Sequence, residues 1–431
     1  MRDQLPEGWV WTTLGKATQP MQRRVNPQDY PEMPYIGMEN VEAHTMQLLG
    51  TVPARQMKSL ADSFMAGDVL YGRLRPYLNK VLCPDFNGLC STEFIVFRQV
   101  PHIYSKYLQY FLNSWEFVTF SNSLNAGDRP RVKFEQFADY PFPLPPLPEQ
   151  ERIVAKIEAL FSQLDAGVAA LRRIQAALKR YKASVLKAAC EGRLVAQDPA
   201  DEPAEALLRR LGKAPLVDDD LPALPEGWCW VRWDTILANE DGSFRRGPFG
   251  STLKKSIFVS SGYKVYEQYC PINDDCSFGR YYITPELFEK LRSFEVRPGD
   301  YLISCSGSLG KITRVPEDSE KGIINQALLR VRISDRIIDH KFFIYYFRSS
   351  FFQDKLFDSS TGTAIPNVKG VKELKALPIP LAPIPEQIRI VTELDRRLSV
   401  AAEVEAVVAA LLARSARLRQ AILKQAFSGQ L

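Results

Sequence analysis

Histidine is scarce in this chain: His44, His102 and His340 are the only three in 431 residues. Histidine-based catalysis or a His-rich zinc centre has little to work with. The 7 cysteines are an odd number, scattered without paired spacing. That argues against a disulfide framework and for reduced thiols in a cytoplasm. No apolar run approaches the ~20 residues a membrane helix needs. The start, Met1-Arg2-Asp3-Gln4-Leu5-Pro6, lacks the apolar stretch of a secretory signal. An excess of one charge is missing too: 55 basic and 50 acidic side chains leave a net charge of +5, which permits a nucleic-acid partner without establishing one. What remains, 45% hydrophobic and 24% charged residues, is ordinary for packed globular protein and excludes disorder over the whole chain. At roughly 150 residues per domain the length suggests about three units.

Two phrases occur twice. Leu5-Pro6-Glu7-Gly8-Trp9-Val10-Trp11 returns as Leu224-Pro225-Glu226-Gly227-Trp228-Cys229-Trp230, an offset of 219 positions. Pro148-Glu149-Gln150-Glu151-Arg152-Ile153-Val154 returns as Pro385-Glu386-Gln387-Ile388-Arg389-Ile390-Val391, an offset of 237 that holds to Glu191-Gly192-Arg193-Leu194 and Ser428-Gly429-Gln430-Leu431. A period this long is a duplication of whole domains, unlike the short periods of solenoids.

The gapless stretches after each Pro-Glu-Gln read as helices. Ile153, Ile157, Leu160, Leu164, Val168, Leu171, Ile174, Leu178, Tyr181 and Val185 step by three or four. Pro148 with Glu149 and Glu151 suits a helix start, and Gly192 can end it. The second copy has Ile390, Leu394, Val404, Val408, Leu411, Leu418 and Ile422, ending at Gly429. Each helix is about 40 residues, or roughly 60 Å long. A single apolar stripe of that length needs a partner, and the other copy is the obvious one.

Residues 12–140 and 231–377 carry short β-branched and aromatic runs bounded by turn residues, such as Phe94-Ile95-Val96-Phe97 and Tyr301-Leu302-Ile303. Helical patches interrupt them at Lys106 to Phe120 and Lys341 to Phe357. Each body is expected to be α+β with its own core. An acidic linker between the halves, with Asp198, Asp201, Glu202 and Asp218-Asp219-Asp220, is expected to hold a short helix at Glu205–Leu211.

This order of elements resembles the specificity subunit of type I restriction–modification enzymes. The carrying residues are the Pro-rich strips Pro141–Gln150 and Leu377–Gln387, the paired Leu-Pro-Glu-Gly-Trp starts, and Gly299-Asp300-Tyr301-Leu302-Ile303-Ser304 leading to Gly307-Ser308-Leu309-Gly310-Lys311-Ile312. The resemblance covers essentially the whole chain. It implies an α+β fold class: two target recognition domains separated by a pair of long antiparallel helices in a coiled coil, with pseudo-two-fold symmetry. The divisions are then 1–147 for the first recognition domain, 148–194 for the first long helix, 195–223 for the linker, 224–384 for the second recognition domain and 385–431 for the second long helix. The implied partners are double-stranded DNA, two methyltransferase subunits and motor-nuclease subunits. This chain would hold no cofactor; the partners would use S-adenosylmethionine, and ATP with Mg for restriction. The chain itself would be a non-catalytic, cytoplasmic DNA reader.

No catalytic constellation contradicts this. Gly307-Ser308-Leu309-Gly310-Lys311-Ile312-Thr313 has two residues between its glycines where a phosphate loop needs four. Leu144-Pro145-Pro146-Leu147 lacks the flanks of the amino-methyltransferase tetrad. Glu317, Asp318 and Glu320 sit in one polar stretch, whereas a metal nuclease gathers carboxylates from separate strands. The spacings of Cys83 with Cys90 and Cys270 with Cys276 do not suit zinc.

Basic clusters lie inside the bodies instead. Arg73 and Arg75 follow Tyr71-Gly72 on one side of an expected strand or strand end. Arg129, Arg131 and Lys133 share a Gly/Pro-rich loop. The second body offers Arg245, Arg246, Lys254, Lys255 and Lys311, with Asn367 and Lys369 in the place of the Arg129 loop. Arginine forks suit guanine edges and Asn or Gln suits adenine, while Lys mostly neutralises phosphate. Asn325-Gln326 could also read adenine, although a structural polar pair is the simpler reading. Antiparallel helices would hold the bodies in equivalent poses towards the duplex, separated by at most about 18 base pairs. Because the bodies differ, the expected target is bipartite and asymmetric. Pseudo-symmetry also brings the chain's two ends together. A single-chain DNA-modifying enzyme and a coiled-coil adaptor without a DNA role are the alternatives.

Overall fold

The computed structural model describes residues 5–125, 127–248, 253–305, 308–356 and 369–431. Asn367, Gly307 and most of the Thr361–Lys369 stretch lie outside them. The chain divides into two compact units, Met1–Ile174 with Val407–Leu431, and Gln175–Ala406.

The first unit contains β1 (Val10–Thr13), β2 (Gln19–Met21), β3 (Arg24–Val25), β4 (Pro34–Ile36), β5 (Val52–Pro53), β6 (Ala61–Phe64), β7 (Val69–Gly72), β8 (Val81–Leu82), β9 (Gly88–Ser91), β10 (Phe94–Arg98) and β11 (Pro141–Leu144). The second contains β12 (Cys229–Arg232), β13 (Phe244–Arg246), β14 (Tyr263–Tyr266), β15 (Tyr282–Ile283), β16 (Glu295–Val296), β17 (Tyr301–Ser304), β18 (Ile312–Arg314), β19 (Gly322–Ile324), β20 (Leu328–Val331) and β21 (Pro378–Leu381). Strand orders match between the units: β1-β11 with β12-β21, β2-β10-β7-β8 with β13-β20-β17-β18, and β6-β9-β4-β5 with β16-β19-β14-β15, the first unit adding β3 beside β6.

The Pro-rich strips are strands. β11 runs antiparallel to β1, pairing Val10 with Leu144 and Thr13 with Pro141, and β21 pairs with β12 in the same way. Prolines at alternate positions, 141 with 143 and 378 with 380, put their missing N–H groups on one edge of a two-stranded ribbon, where no ladder bond is lost.

The helical patches break where the sequence reading ran them on. Ser114 separates Ser105–Leu112 from Trp115–Ser123, and Ser349 separates His340–Arg348 from Ser350–Leu356. Each serine Oγ donates to the carbonyl three residues back and accepts from the N–H three residues on. Both uses are local bonds that compete with helix continuation. The linker helix is Ala204–Arg210.

The long helices are Leu147–Cys190 and Ile384–Phe427, 44 residues each. Their pairing is antiparallel. In the first unit Arg419, from the last third of one, bonds Asp165 of the other and lies 4.2 Å over the Phe161 ring. In the second unit Lys182 bonds Glu405. Phe427 packs edge-on against Tyr107 and Phe111 at 5.2 Å, so the end of the second helix belongs to the core of the first unit.

A buried clasp fixes each helix start. Gln150 is 0% exposed; its Oε1 accepts from Tyr104 N at 2.9 Å, and its Nε2 donates to the carbonyls of His102 and Pro145 at 3.0 and 2.9 Å. Gln387, also 0% exposed, accepts from Asp339 N at 2.7 Å and donates to Ile337 and Ala382 at 3.2 and 2.8 Å. The neighbouring glutamates accept from the repeated tryptophans, Trp9 Nε1 to Glu149 and Trp228 Nε1 to Glu386, both at 3.0 Å. Burial pushes the Glu386 carboxyl above its ordinary range, against the bonds from Trp228 and Gln197. The glycine after each helix closes the arrangement. Gly192 and Gly429 have φ of +63° and +71°, and an added Cβ would meet Pro225 at 2.5 Å and Pro6 at 2.1 Å. The expected meeting of the chain's ends is therefore visible inside the first unit, where Pro6 lies against Gly429.

Gln387→Leu should destabilise the second unit by about 2–4 kcal/mol, because two carbonyls and one N–H lose their partner in a closed site. Urea unfolding measures this, with Leu at the exposed Ile388 position as the control.

Candidate nucleic-acid interface

In the first body the two basic clusters are one. Arg73 N donates to the Glu93 carbonyl and Arg75 N to the Pro130 carbonyl, both at 2.8 Å, while Val132 N donates to Arg73 O at 3.0 Å. Leu74 and Arg131 form an isolated antiparallel bridge. The segment after β7 is thus stitched to the Arg129–Lys133 loop. Strand alternation from Arg73 to Arg75 is broken, since β7 stops at Gly72 and Arg75 turns into the left-handed region at φ 52° ahead of Pro76.

The cations are not equivalent. Arg131 is engaged by Glu93 through two nitrogens at 2.9 and 3.1 Å. Arg129 and Lys133 are exposed and carry no ion pair among the described residues. Arg73 and Arg75 are half-buried, and their Nε atoms are enclosed without a hydrogen-bond partner there. Among the described residues their forks are in no ion pair or side-chain hydrogen bond.

Asp62, Arg24 and Lys80 were not singled out from sequence. Asp62 is 0% exposed, sits opposite Arg24 across the β3–β6 pair, and has neither carboxylate oxygen hydrogen-bonded among the described residues. Burial pushes its carboxyl up, opposed by the nearby Arg24 and Arg73 cations. A lone aspartate in a four-residue strand forms no pattern in the sequence. Lys80 ends the hairpin after β7, and its ammonium caps the Met38 carbonyl.

The second body repeats this frame with other side chains. Gly72 N donates to Lys80 O at 2.8 Å, and Ser304 N to Lys311 O at 2.9 Å. Arg73 N donates to Glu93 O, and Cys305 N to Ala327 O, each at 2.8 Å. Lys311, exposed, therefore holds the place of Lys80, and buried Cys305 the place of Arg73. Burial pushes the Cys305 thiol up, and nearby Arg246 partly offsets this, which puts Arg246 beside the same frame. Its Nε is enclosed and unbonded among the described residues. Arg245, on β13, lies 5.5 Å over the Phe294 ring. Lys254 and Lys255 are exposed around a short 3₁₀ turn, and among the described residues no hydrogen bond or ion pair of their side chains joins them to this frame. Lys369 N donates to Leu356 O and its residue is half-buried. Asn325 Oδ1 accepts from Ala327 N at 3.0 Å, the position at which Ser91 Oγ accepts from Glu93 N at 3.2 Å. That is a duplicated turn, in keeping with the simpler reading of Asn325.

All seven cysteines are free, and no group of three or more His, Cys, Asp or Glu is placed to hold a metal among the described residues. Within the same residues no helix is long and apolar enough to cross a membrane.

Residues 16–176 and 250–405 match the family model for the type I restriction modification DNA specificity domain. The chain belongs to that family. It is 31% identical over 292 residues to the specificity subunit of the Escherichia coli type I restriction enzyme EcoBI, covering 67% of this chain and 58% of the relative. It is 30% identical over 206 residues to that of EcoDI from the same species, covering 46% of this chain and 45% of the relative. The chain thus spans about half the length of these relatives. A chain in a solved structure of a type I R-M system, concerned with complex assembly and conformational transition, superposes with a TM-score of 0.76 at 25% identity, covering 99% of this chain and all of the other. The duplicated DNA specificity domain of the family corresponds to the duplicated frame of strands, hairpin and clasp.

Arg129→Ala should weaken DNA binding similarly on all sequences and flatten the salt dependence by about one unit of slope. Arg131→Ala should change that slope less, because Glu93 already neutralises Arg131. Arg73→Ala should lower discrimination within a single half-site by about 1–3 kcal/mol. Binding titrations over a salt series and a panel of single-base variants separate these outcomes.

Proposed function

We propose that this chain is the specificity subunit of a type I restriction–modification complex. Each body reads one half of a bipartite, asymmetric DNA target. The contacts fall to Arg73, Arg75, Arg129, Arg131 and Lys133 in the first body, and to Arg245, Arg246, Lys254, Lys255, Lys311 and Lys369, with the amide of Asn367, in the second. The observation that carries this is one backbone frame holding different side chains, with Arg73 where the other body has Cys305. Equal frames present both bodies to the duplex alike, and unequal side chains make the half-sites differ.

The long helices act as spacer and as docking surface for two methyltransferase subunits, with motor-nuclease subunits joining for restriction. Exposed apolar residues on them support a protein partner: Ile174, Val407, Leu411 and Leu418 in the first unit, Tyr181, Val400 and Val404 in the second. The chain is non-catalytic and cytoplasmic in this reading. The partners bring S-adenosylmethionine for methyl transfer, and ATP with Mg for cleavage.

Methylome sequencing of cells expressing this chain with its methyltransferase should show a two-part motif with adenine methylated on each side of an unread spacer. A continuous short motif, or one that does not follow this chain, is the contrary result.

A further inference from the structure

Four carboxylates besides Asp62 are buried among the described residues: Asp68, Glu295, Asp300 and Glu386. Each accepts from an arginine, a backbone N–H or an indole. Asp62 alone accepts nothing there. A buried carboxylate without a hydrogen bond is costly. The cations within its electrostatic reach are Arg24, opposite it on β3, and Arg73. Sheet register brings Arg73 close. Ala61 pairs with Ser91 and Asp62 with Cys90 across β6 and β9, Ser91 Oγ accepts from Glu93 N, and Glu93 O accepts from Arg73 N. Arg73 Nε is itself enclosed without a hydrogen bond. A donor and a complementary acceptor, both open, thus lie in one neighbourhood.

The second body has the same frame without this carboxylate. Met65 N donates to Asp68 at 2.7 Å, and Arg297 N donates to Asp300 at 2.8 Å. The offset of 232 positions shared by these pairs, and by Arg73 with Cys305, sets Phe294 in the place of Asp62. Acid and arginine are therefore present together in one body and absent together from the other. The frame stands without a carboxylate at this position. Phe294 still holds a cation, by other means: the Arg245 guanidinium lies 5.5 Å over its ring. Each body thus keeps an arginine beside this residue, through charge in the first and through a ring face in the second.

We propose that Asp62 is the positioning residue that makes Arg73 a reader of one guanine, an inference that rests on the function proposed above. Asp62 is fully buried, so it touches no base itself. Its charge draws the Nε edge of Arg73 towards the sheet and leaves the terminal nitrogens of the fork for the base. Docking on DNA closes the open pair of Nε and carboxylate, and the base that receives the fork in that pose is preferred. The same negative charge offsets the general attraction of Arg73 for phosphate. Asp62 thereby shifts the use of Arg73 from grip towards discrimination.

The test uses the full chain in complex with its methyltransferase, and duplexes carrying the motif that methylome sequencing returns. Each base pair of the motif is varied singly, and a duplex of unrelated sequence measures general binding. Asp62→Asn keeps the size and removes the charge. It should lower discrimination at one base pair about 10-fold, while binding to the unrelated duplex stays equal or tightens. The urea midpoint should not fall, because no hydrogen bond is lost and a buried charge becomes neutral. In an Arg73→Ala background Asp62→Asn should change discrimination no further, and in an Arg24→Ala background its full effect should remain. Unchanged discrimination, a loss that persists without Arg73, a loss that vanishes without Arg24, or a lowered midpoint with equal loss of binding to both kinds of duplex each overturns the proposal and leaves the proposed function standing. A wild-type complex that discriminates at no base pair overturns that function and this inference with it.

Discussion

A glutamine with no exposure holds each half together. Gln150 and Gln387 each make three hydrogen bonds at the point where a Pro-rich strand becomes a 44-residue helix. The glutamate beside each one takes the indole N–H of the repeated tryptophan, from the segment that opens the half. Strand, helix start and opening segment are thereby fixed to one another by polar bonds in an apolar setting, where an unmade bond is expensive. A body mounted on such a clasp has little freedom about its helix.

Above the clasp the sequences part while the backbone does not. The bonds Gly72–Lys80 and Arg73–Glu93 recur as Ser304–Lys311 and Cys305–Ala327 within 0.1 Å. Sheet order recurs as well. Backbone bonds ask little of side-chain identity, so the frame persists while the side chains it carries change.

The repeats, the helices and the α+β character of the bodies were legible because they rest on periodicity and identity, which the chain displays directly. The fusion of the Arg73 and Arg129 clusters was not, because it depends on bonds between segments more than fifty residues apart. Neither was the role of the Pro-rich strip. Proline argues against a strand, and only its alternate spacing on an edge ribbon reverses that. The serine breaks at Ser114 and Ser349 were visible as residue types but not as interruptions, since serine inside a helix is common enough. Asp62 stayed hidden because a lone aspartate in a short strand has no pattern, and its interest lies in what fails to bond it.

The central claim is that each body, carried on its own clasp, reads its own half-site. Replacing residues 231–377 with a second copy of residues 12–140 puts the same lettering on both frames. Methylome sequencing of this variant with its methyltransferase should return a symmetric motif made of one present half-site twice, inverted about the same spacer. A motif that stays asymmetric, or keeps the second half-site, would contradict the account.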